Sequence, residues 1–367
     1  MSQQNHPSEL LKPEWVKIIR GEAMAAEQAG LLQAGQLELI YQQQWFKILV
    51  PKIYGGLELP LPEVVRLEEA FAWADGSLGW VITLCAGAGW FGGFLQPKVA
   101  EQIFADPKAC LAGSGASTGT ALKTADGYQL SGSWKYASGI KHATHFTANC
   151  IIRQGEETLP DADGNPLIIP FVIDRADAEL IPAWKYVGMM GTGSHAFKMN
   201  EVKVPASRSF KIEAESAVVK NPLYTYPFLQ LAETTLAANL SGMALHFIDL
   251  CEPIFEERIQ IKKLTAYQHS VLKEALQEEK ENLRNLRRFF YEALDQSWNS
   301  FTSGKHTEAE LKTVSQTSRV LALASRESVD RLYPYCGLIA ASPDTEINQV
   351  WRDIHTASQH TLLTFLE

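Results

Sequence analysis

At 367 residues, with 46% hydrophobic and 20% charged side chains, the chain has material for two or three globular domains with a sizeable core. Its formal net charge of -9 argues against nucleic acid or an anionic membrane as the main partner. The cysteines Cys85, Cys110, Cys150, Cys251 and Cys336 are scattered, odd in number and lack any C-x-x-C. That pattern points to reduced thiols in a cytoplasmic protein, with neither a disulfide framework nor a metal site.

The N-terminus, MSQQNHPSELLKPEW, has no basic stretch followed by an apolar run, so it does not read as a signal peptide. Residues 8–107 read as helices. Glu22 to Gln43 is rich in Ala, Gln, Glu and Leu and predicts one helix. Breakers over Pro51–Gly56 predict a loop, and Pro62 with Glu63 opens a helix over 62–74. Asp75-Gly76-Ser77 stops it, with Ser77 as the expected cap of the next helix. That next stretch, Leu78 to Leu95, is uncharged and long enough to span a membrane, but its glycines and polar flanks favour a buried helix and turn. Pro97 opens a short amphipathic helix.

After Cys110 the period changes. Short β-rich runs occupy 128–138, 146–153, 168–174, 179–187 and 196–204, separated by turn residues. Gly127 and Gly132 mark a turn and a bulge. Trp134, Tyr136 and Ser138 fall at even spacing, which places them on one strand face as an aromatic shelf ending in a hydroxyl and Gly139. Such a shelf suits a flat ring with polar edge atoms; an ordinary strand core is the alternative, and on spacing alone the commoner one. Past the shelf, His142 and His145 beside Lys141 read as solvent-facing strand-end residues, with phosphate or substrate contacts as the alternative. Met189 and Met190 read as gap-fillers, and Gly191-Thr192-Gly193-Ser194 reads as a turn offering hydroxyl and backbone donors.

The remainder is helical. Leu229, Leu236, Leu240, Met243, Phe247 and Leu250 share a helix face, and Pro253 kinks or ends that helix. A second stripe runs from Leu272 to Leu294. A third helix spans about 307–332, and Ser342-Pro343 opens a fourth that runs to the end. The predicted architecture is mostly α with a β insert (α+β). An N-terminal helical domain (1–107) precedes a central β-barrel or sandwich domain (108–212) and a C-terminal four-helix bundle (213–367).

In this order the chain resembles the acyl-CoA dehydrogenase superfamily of flavoproteins over nearly its full length. The matching stretches are VPKIYGGLELPLPEVVRLEEAFAWADGSLGW, DGYQLSGSWKYASGI, GMMGTGSHAFKMNEVKVP and WRDIHTASQH. The branch is set by departures. The segment entering the β-domain, AGSGASTGTA, has no Glu, and after Arg352-Asp353 no Glu appears until Glu367. A dehydrogenase needs a carboxylate for the α-proton. The W-x-[FY]-x-S-G pattern of Trp134, Tyr136, Ser138 and Gly139 is similar instead to the two-component flavin monooxygenases. So is a histidine, His360, seven residues after Asp353.

The resemblance implies a reductase that delivers reduced flavin (FAD, with FMN as the alternative), oxygen transfer through a C4a-hydroperoxyflavin to a small-molecule substrate, and a homotetramer. It implies Trp134, Tyr136, Ser138, Gly139, Ser114 and Thr192 as cofactor-binding residues. Ser138 would meet flavin N5, and His360 would be the acid–base group. On a continuous helix His360 shares a face with Asp353, while His355 points away and reads as structural or surface. Ile259–Leu264 lacks the Phe-Gly found in dehydrogenases at a position that reaches a neighbouring subunit's FAD. Two other functions stay open: a dehydrogenase using Glu233, otherwise an exposed helix residue, as base, and a non-catalytic, flavin-free binding protein.

Overall fold

The structure, a computed structural model, describes residues 5–261 and 264–365. Helix is broken early: α1 (Pro13–Ala29) and α2 (Ala34–Gln42) stand where one helix was expected over 22–43. Gly30 ends α1 at φ 64°, a left-handed conformation that costs a residue without Cβ little. α3 (Leu61–Ala74) opens with Pro62 in its first turn. Asp75 then ends α3 and caps α4 (Gly76–Trp90), its carboxylate accepting from Leu78 N–H at 2.7 Å. The expected cap, Ser77, lies inside α4, buried, because the carboxylate one residue earlier takes the orphan amide. α4 is uncharged because it is buried, packed on α3, on the C-terminal bundle and on the sheet. Among the described residues no helix is long and apolar enough to cross a membrane. α5 (Pro97–Phe104) opens on Pro97.

The strands are β1 (Leu111–Lys123), β2 (Gly127–Ala137), β3 (His145–Gln154), β4 (Glu157–Thr158), β5 (Ile168–Asp174), β6 (Glu179–Ile181) and β7 (His195–Pro205). They form one sheet in the order β4-β3-β1-β2-β7-β6, with β5 also on β3. β1 and β3 are parallel; the other pairs are antiparallel. The rings of Phe146 on β3 and Phe197 on β7 stack at 4.7 Å, and those of Tyr128 on β2 and Phe171 on β5 meet at 5.0 Å. Each pair is three strands apart, about 14 Å in a flat sheet, so the sheet is rolled like a barrel around its own core. β1 was not expected, because Gly, Ala and Ser are poor strand formers. Its small residues are required there: a Cβ on Gly119 would overlap the Trp134 ring. The run expected over 179–187 stays in the sheet only to Ile181.

A short α6 (Pro222–Thr225) leads into α7 (Phe228–Ile261), α8 (Ala266–Thr302) and α9 (Glu308–Cys336). Pro253 and Pro334 sit inside α7 and α9 without ending them. Packing of α7 on α3, α8 and α9, and of α9 on both bundle neighbours, outweighs the roughly 3 kcal/mol that one interior proline costs. After α10 (Leu338–Ala341), the helix α11 (Glu346–Ala357) takes Thr345 as its N-cap residue, not the expected Ser342. It stops at Ala357, and a single turn, α12 (Thr361–Thr364), follows.

Candidate active site

The site starts from an irregularity at the end of β2. Its pairing with β7 shifts register between Trp134 and Ala137, and Tyr136 sits in the bulge at φ 65°. The bulge breaks the period of two, so the shelf expected from even spacing does not form. Trp134 points into the rolled sheet, fully buried, stacked on Phe197 at 5.2 Å and 15° and donating from Nε1 to Asn149 O at 3.0 Å. It is a core residue and presents no face to a ligand. Tyr136 points outward and is 57% exposed. Its hydroxyl meets that of Tyr186 at 3.1 Å, and Trp184 packs edge-on against its ring.

Two residues on, the backbone turns inward. Ser138 is buried and its Oγ lies 2.8 Å from Ser194 Oγ. Ser194 Oγ lies 2.6 Å from Thr192 Oγ1, which donates to Met189 O at 2.6 Å. Gly139 N–H donates to Thr192 O at 2.9 Å. Gly139 has φ 73°, and a Cβ there would fall 2.6 Å from Cys85 Sγ of α4, so glycine is needed on both counts. The structure therefore brings Ser138, Gly139 and Thr192 together.

Sequence reasoning missed what holds this loop. Met189, at φ 55°, donates its N–H to Asp353 Oδ1 of α11 at 2.5 Å. The adjacent Arg352 bonds Glu27 of α1 at 2.6 Å and Val187 O at 3.1 Å. Arg352-Asp353 is thus a clamp tying the loop 187–194 to the first and last long helices. Burial and the neighbouring Asp75 hold the Asp353 carboxyl well above the usual range. The sequence signal was present in the Arg-Asp pair, but nothing in it named a backbone amide as the target. Met189 does fill space as expected, yet its peptide group carries the connection.

Ser114 lies apart from this cluster, in a bulge of β1 over Ser114–Gly119. β1 pairs with β2 only over Gly119–Lys123, so upstream of Gly119 the two strands part. Thr118 ties this segment back to β2 through Ser133 O at 2.6 Å. Tyr136 and Ser138 fit a flavin: an exposed ring face at Tyr136 and, two residues on, the buried hydroxyl of Ser138.

His360 is not on α11. It is the N-cap residue of α12, so the shared face with Asp353 does not exist. Its ring meets Trp80 of α4 edge-on at 6.1 Å, and burial pushes its pKa down. Trp80 precedes Val81, which underlies Gly139 with Cys85, so one helix, α4, contacts both His360 and the Gly139 turn. His355 is structural as expected, bonded to Asp330 at 2.8 Å and to Trp351 O at 2.6 Å. His142 and His145 are tied into the fold rather than solvent-facing, His142 Nε2 accepting from Leu32 N–H at 3.2 Å and His145 meeting Asp174 at 3.0 Å. Burial and Lys141 push His142 down to about 4.

Glu233 is not the exposed residue expected. It is fully buried and bonded to Arg319 at 2.7 Å. Of the Ile259–Leu264 segment, Lys262 and Lys263 lie outside the described residues. Among the described residues no cluster of three or more His, Cys, Asp or Glu could hold a metal.

The family pattern described as "Acyl-CoA dehydrogenase, C-terminal domain" matches residues 234–365. The chain is 25% identical over 357 residues to the oxygenase subunit HsaA of a flavin-dependent monooxygenase of Mycobacterium tuberculosis, covering 93% of this chain and 88% of that one. The fold superposes on the 3-HSA hydroxylase of Rhodococcus sp. RHA1 with a TM-score of 0.87 at 20% identity, over 99% of this chain and 94% of the other. It also superposes on XiaF from Streptomyces sp., solved with FADH2 and glycerol, with a TM-score of 0.82 at 20% identity, over 95% and 89%.

Proposed function

We propose that this chain is the oxygenase component of a two-component aromatic hydroxylase, a flavin-dependent oxidoreductase of the monooxygenase branch of the acyl-CoA dehydrogenase superfamily. A separate reductase supplies the reduced flavin, which we take to be FAD, as named with XiaF, in preference to FMN. The bound flavin would activate O2; the rest falls to the chain's own residues. Tyr136 offers the ring face and Ser138 the polar contact at N5. Gly139 and Thr192 shape the turn, and Ser114 contributes from the β1 bulge. His360, kept neutral by burial, would move a proton to or from the substrate.

The observation that carries this reading against dehydrogenation is Glu233. The carboxylate proposed as base is buried beneath α9 in an ion pair with Arg319, while His360 lies beside Trp80, half-buried. We further read the protein as a cytoplasmic homotetramer. The buried, reduced cysteines support the first part, and exposed Phe289 and Val320 on α8 and α9 offer apolar faces for the second. Light scattering that gave a monomer at micromolar concentration would remove the tetramer.

The functional test uses purified protein with chemically reduced FAD, then O2 and a phenolic or heteroaromatic substrate. Incorporation of one ¹⁸O atom from labelled O2 into the product is expected. Anaerobic bleaching of bound oxidised flavin by an acyl-CoA, with no oxygen incorporated, would overturn the reading.

A further inference from the structure

The hydroxyls behind the site form a chain with a fixed direction. A hydroxyl has one hydrogen to donate, and a carbonyl oxygen only accepts. The 2.6 Å contact of Thr192 Oγ1 with Met189 O therefore uses the Thr192 hydrogen. The 2.6 Å contact between Ser194 and Thr192 must then use the hydrogen of Ser194. By the same step the 2.8 Å contact between Ser138 and Ser194 uses the hydrogen of Ser138. Nothing is left for Ser138 to donate, and what it offers is a lone pair. The Met189 carbonyl that sets the direction is itself held in place, since the same residue's N–H is bound by Asp353.

We propose that Thr192 and Ser194 are positioning residues that hold Ser138 as a hydrogen-bond acceptor, so that the site selects reduced over oxidised flavin. The inference rests on the reading of Ser138 as the partner of flavin N5. Reduced flavin carries a hydrogen on N5 and can donate it to Ser138. Oxidised flavin has only a lone pair there, and two acceptors would face each other. In a two-component system this polarity has a use: the oxygenase takes the reduced flavin and lets the spent, oxidised one return to the reductase. Removing Thr192 Oγ1 lets Ser194 turn its hydrogen towards Ser138, which is then free to donate to an oxidised N5. One hydrogen bond gained or lost changes binding by about fivefold to tenfold.

The experiment measures dissociation constants for oxidised FAD in air and for reduced FAD under anaerobic conditions, with no substrate and no turnover. The ratio of the two constants is compared in the wild type, Thr192→Val, Ser194→Ala, Thr192→Ser and Ser138→Ala. We expect reduced FAD to bind more tightly to the wild type. Thr192→Val and Ser194→Ala should each shrink the ratio about fivefold to tenfold, mostly by improving oxidised-FAD binding. The midpoint potential of bound FAD should fall in step, by about 30 mV per tenfold. Thr192→Ser keeps the hydroxyl and should keep the wild-type ratio, which a merely packed threonine would not require. If Ser138→Ala shrinks the ratio but Thr192→Val and Ser194→Ala do not, the relay is overturned while Ser138 remains at N5. If the wild type binds neither form of FAD, the reading of the site fails with it.

Discussion

Asp353 and Met189 join the last long helix to the loop that shapes the site, carboxylate Oδ1 to backbone N–H at 2.5 Å. The bond is buried, and burial together with Asp75 makes the ionised carboxylate costly. The amide needs an acceptor there more than it needs a charge. Asp353→Asn should keep the acceptor and fold with unchanged or higher stability at pH 8. Asp353→Ala leaves a buried N–H unpaired and should lose about 1–3 kcal/mol. Urea melts of the two variants side by side check this; equal losses would mean that the charge, not the acceptor, is what the loop requires.

Much of the architecture was legible because period and breakers are local. The change from helix to strand, the strands over 168–174 and 196–204 and the long bundle helices all follow from spacing. What was not legible depends on partners distant in sequence. Pro253 and Pro334 stay helical because neighbouring helices hold them. β1 is built of small residues because Trp134 fills the space above Gly119. At the site, the hydroxyls of Ser138 and Ser194 were visible as residue types, and their 56-residue separation closes only in the fold. The shelf failed because one bulged residue, Tyr136, reverses the parity that a regular strand would keep. His360 left the predicted helix because α11 ends at Ala357.

Glu233 and Arg319 tie α7 to α9, with Glu233 fully buried and Arg319 mostly so. Glu233→Gln should therefore act on stability. It removes the charge that Glu233 sets against the Arg319 guanidinium, whose partial exposure and further contacts moderate the loss to about 1–3 kcal/mol. Product formed per folded molecule should stay within about twofold of wild type, below the 10²-fold minimum typical of a lost acid–base group. Thermal melts together with turnover on the folded fraction separate the two effects. A variant that melted like the wild type yet lost activity would return Glu233 to the catalytic candidates.

Glu68 gives the fold a pH dependence. It is fully buried on α3 and neither carboxyl oxygen has a hydrogen-bond partner. Burial pushes its pKa from 4.5 up to about 8, against a smaller pull from the nearby Thr83 hydroxyl. The folded state thus holds a proton that the unfolded chain releases at lower pH. The resulting stability is fully present below pH 4.5 and is lost as pH rises to about 8. Glu68→Gln cannot ionise and should escape this loss. The melting temperature of the variant minus that of the wild type should grow from pH 5 and level off above about pH 8. A difference that stayed flat across that range would show that Glu68 is solvated or paired in solution.

His360 is the sharpest test of the chemistry, because its two roles can be separated. As N-cap residue of α12 it accepts from Leu362 N–H at 3.4 Å, a long contact, and its ring leans on Trp80. As acid–base group it needs the imidazole itself. Asn is a good N-cap residue, so His360→Asn should keep the turn while removing the titrating ring. Product formation should fall by about 10²–10⁴-fold in both His360→Asn and His360→Ala, with reduced-flavin binding unchanged. Burial lowers the pKa of His360, so in the wild type the acid limb of the rate should lie below the ordinary histidine range and vanish in the variants. If His360→Asn hydroxylates at the wild-type rate, the residue is a cap and a ring contact, and the proton is moved by another group.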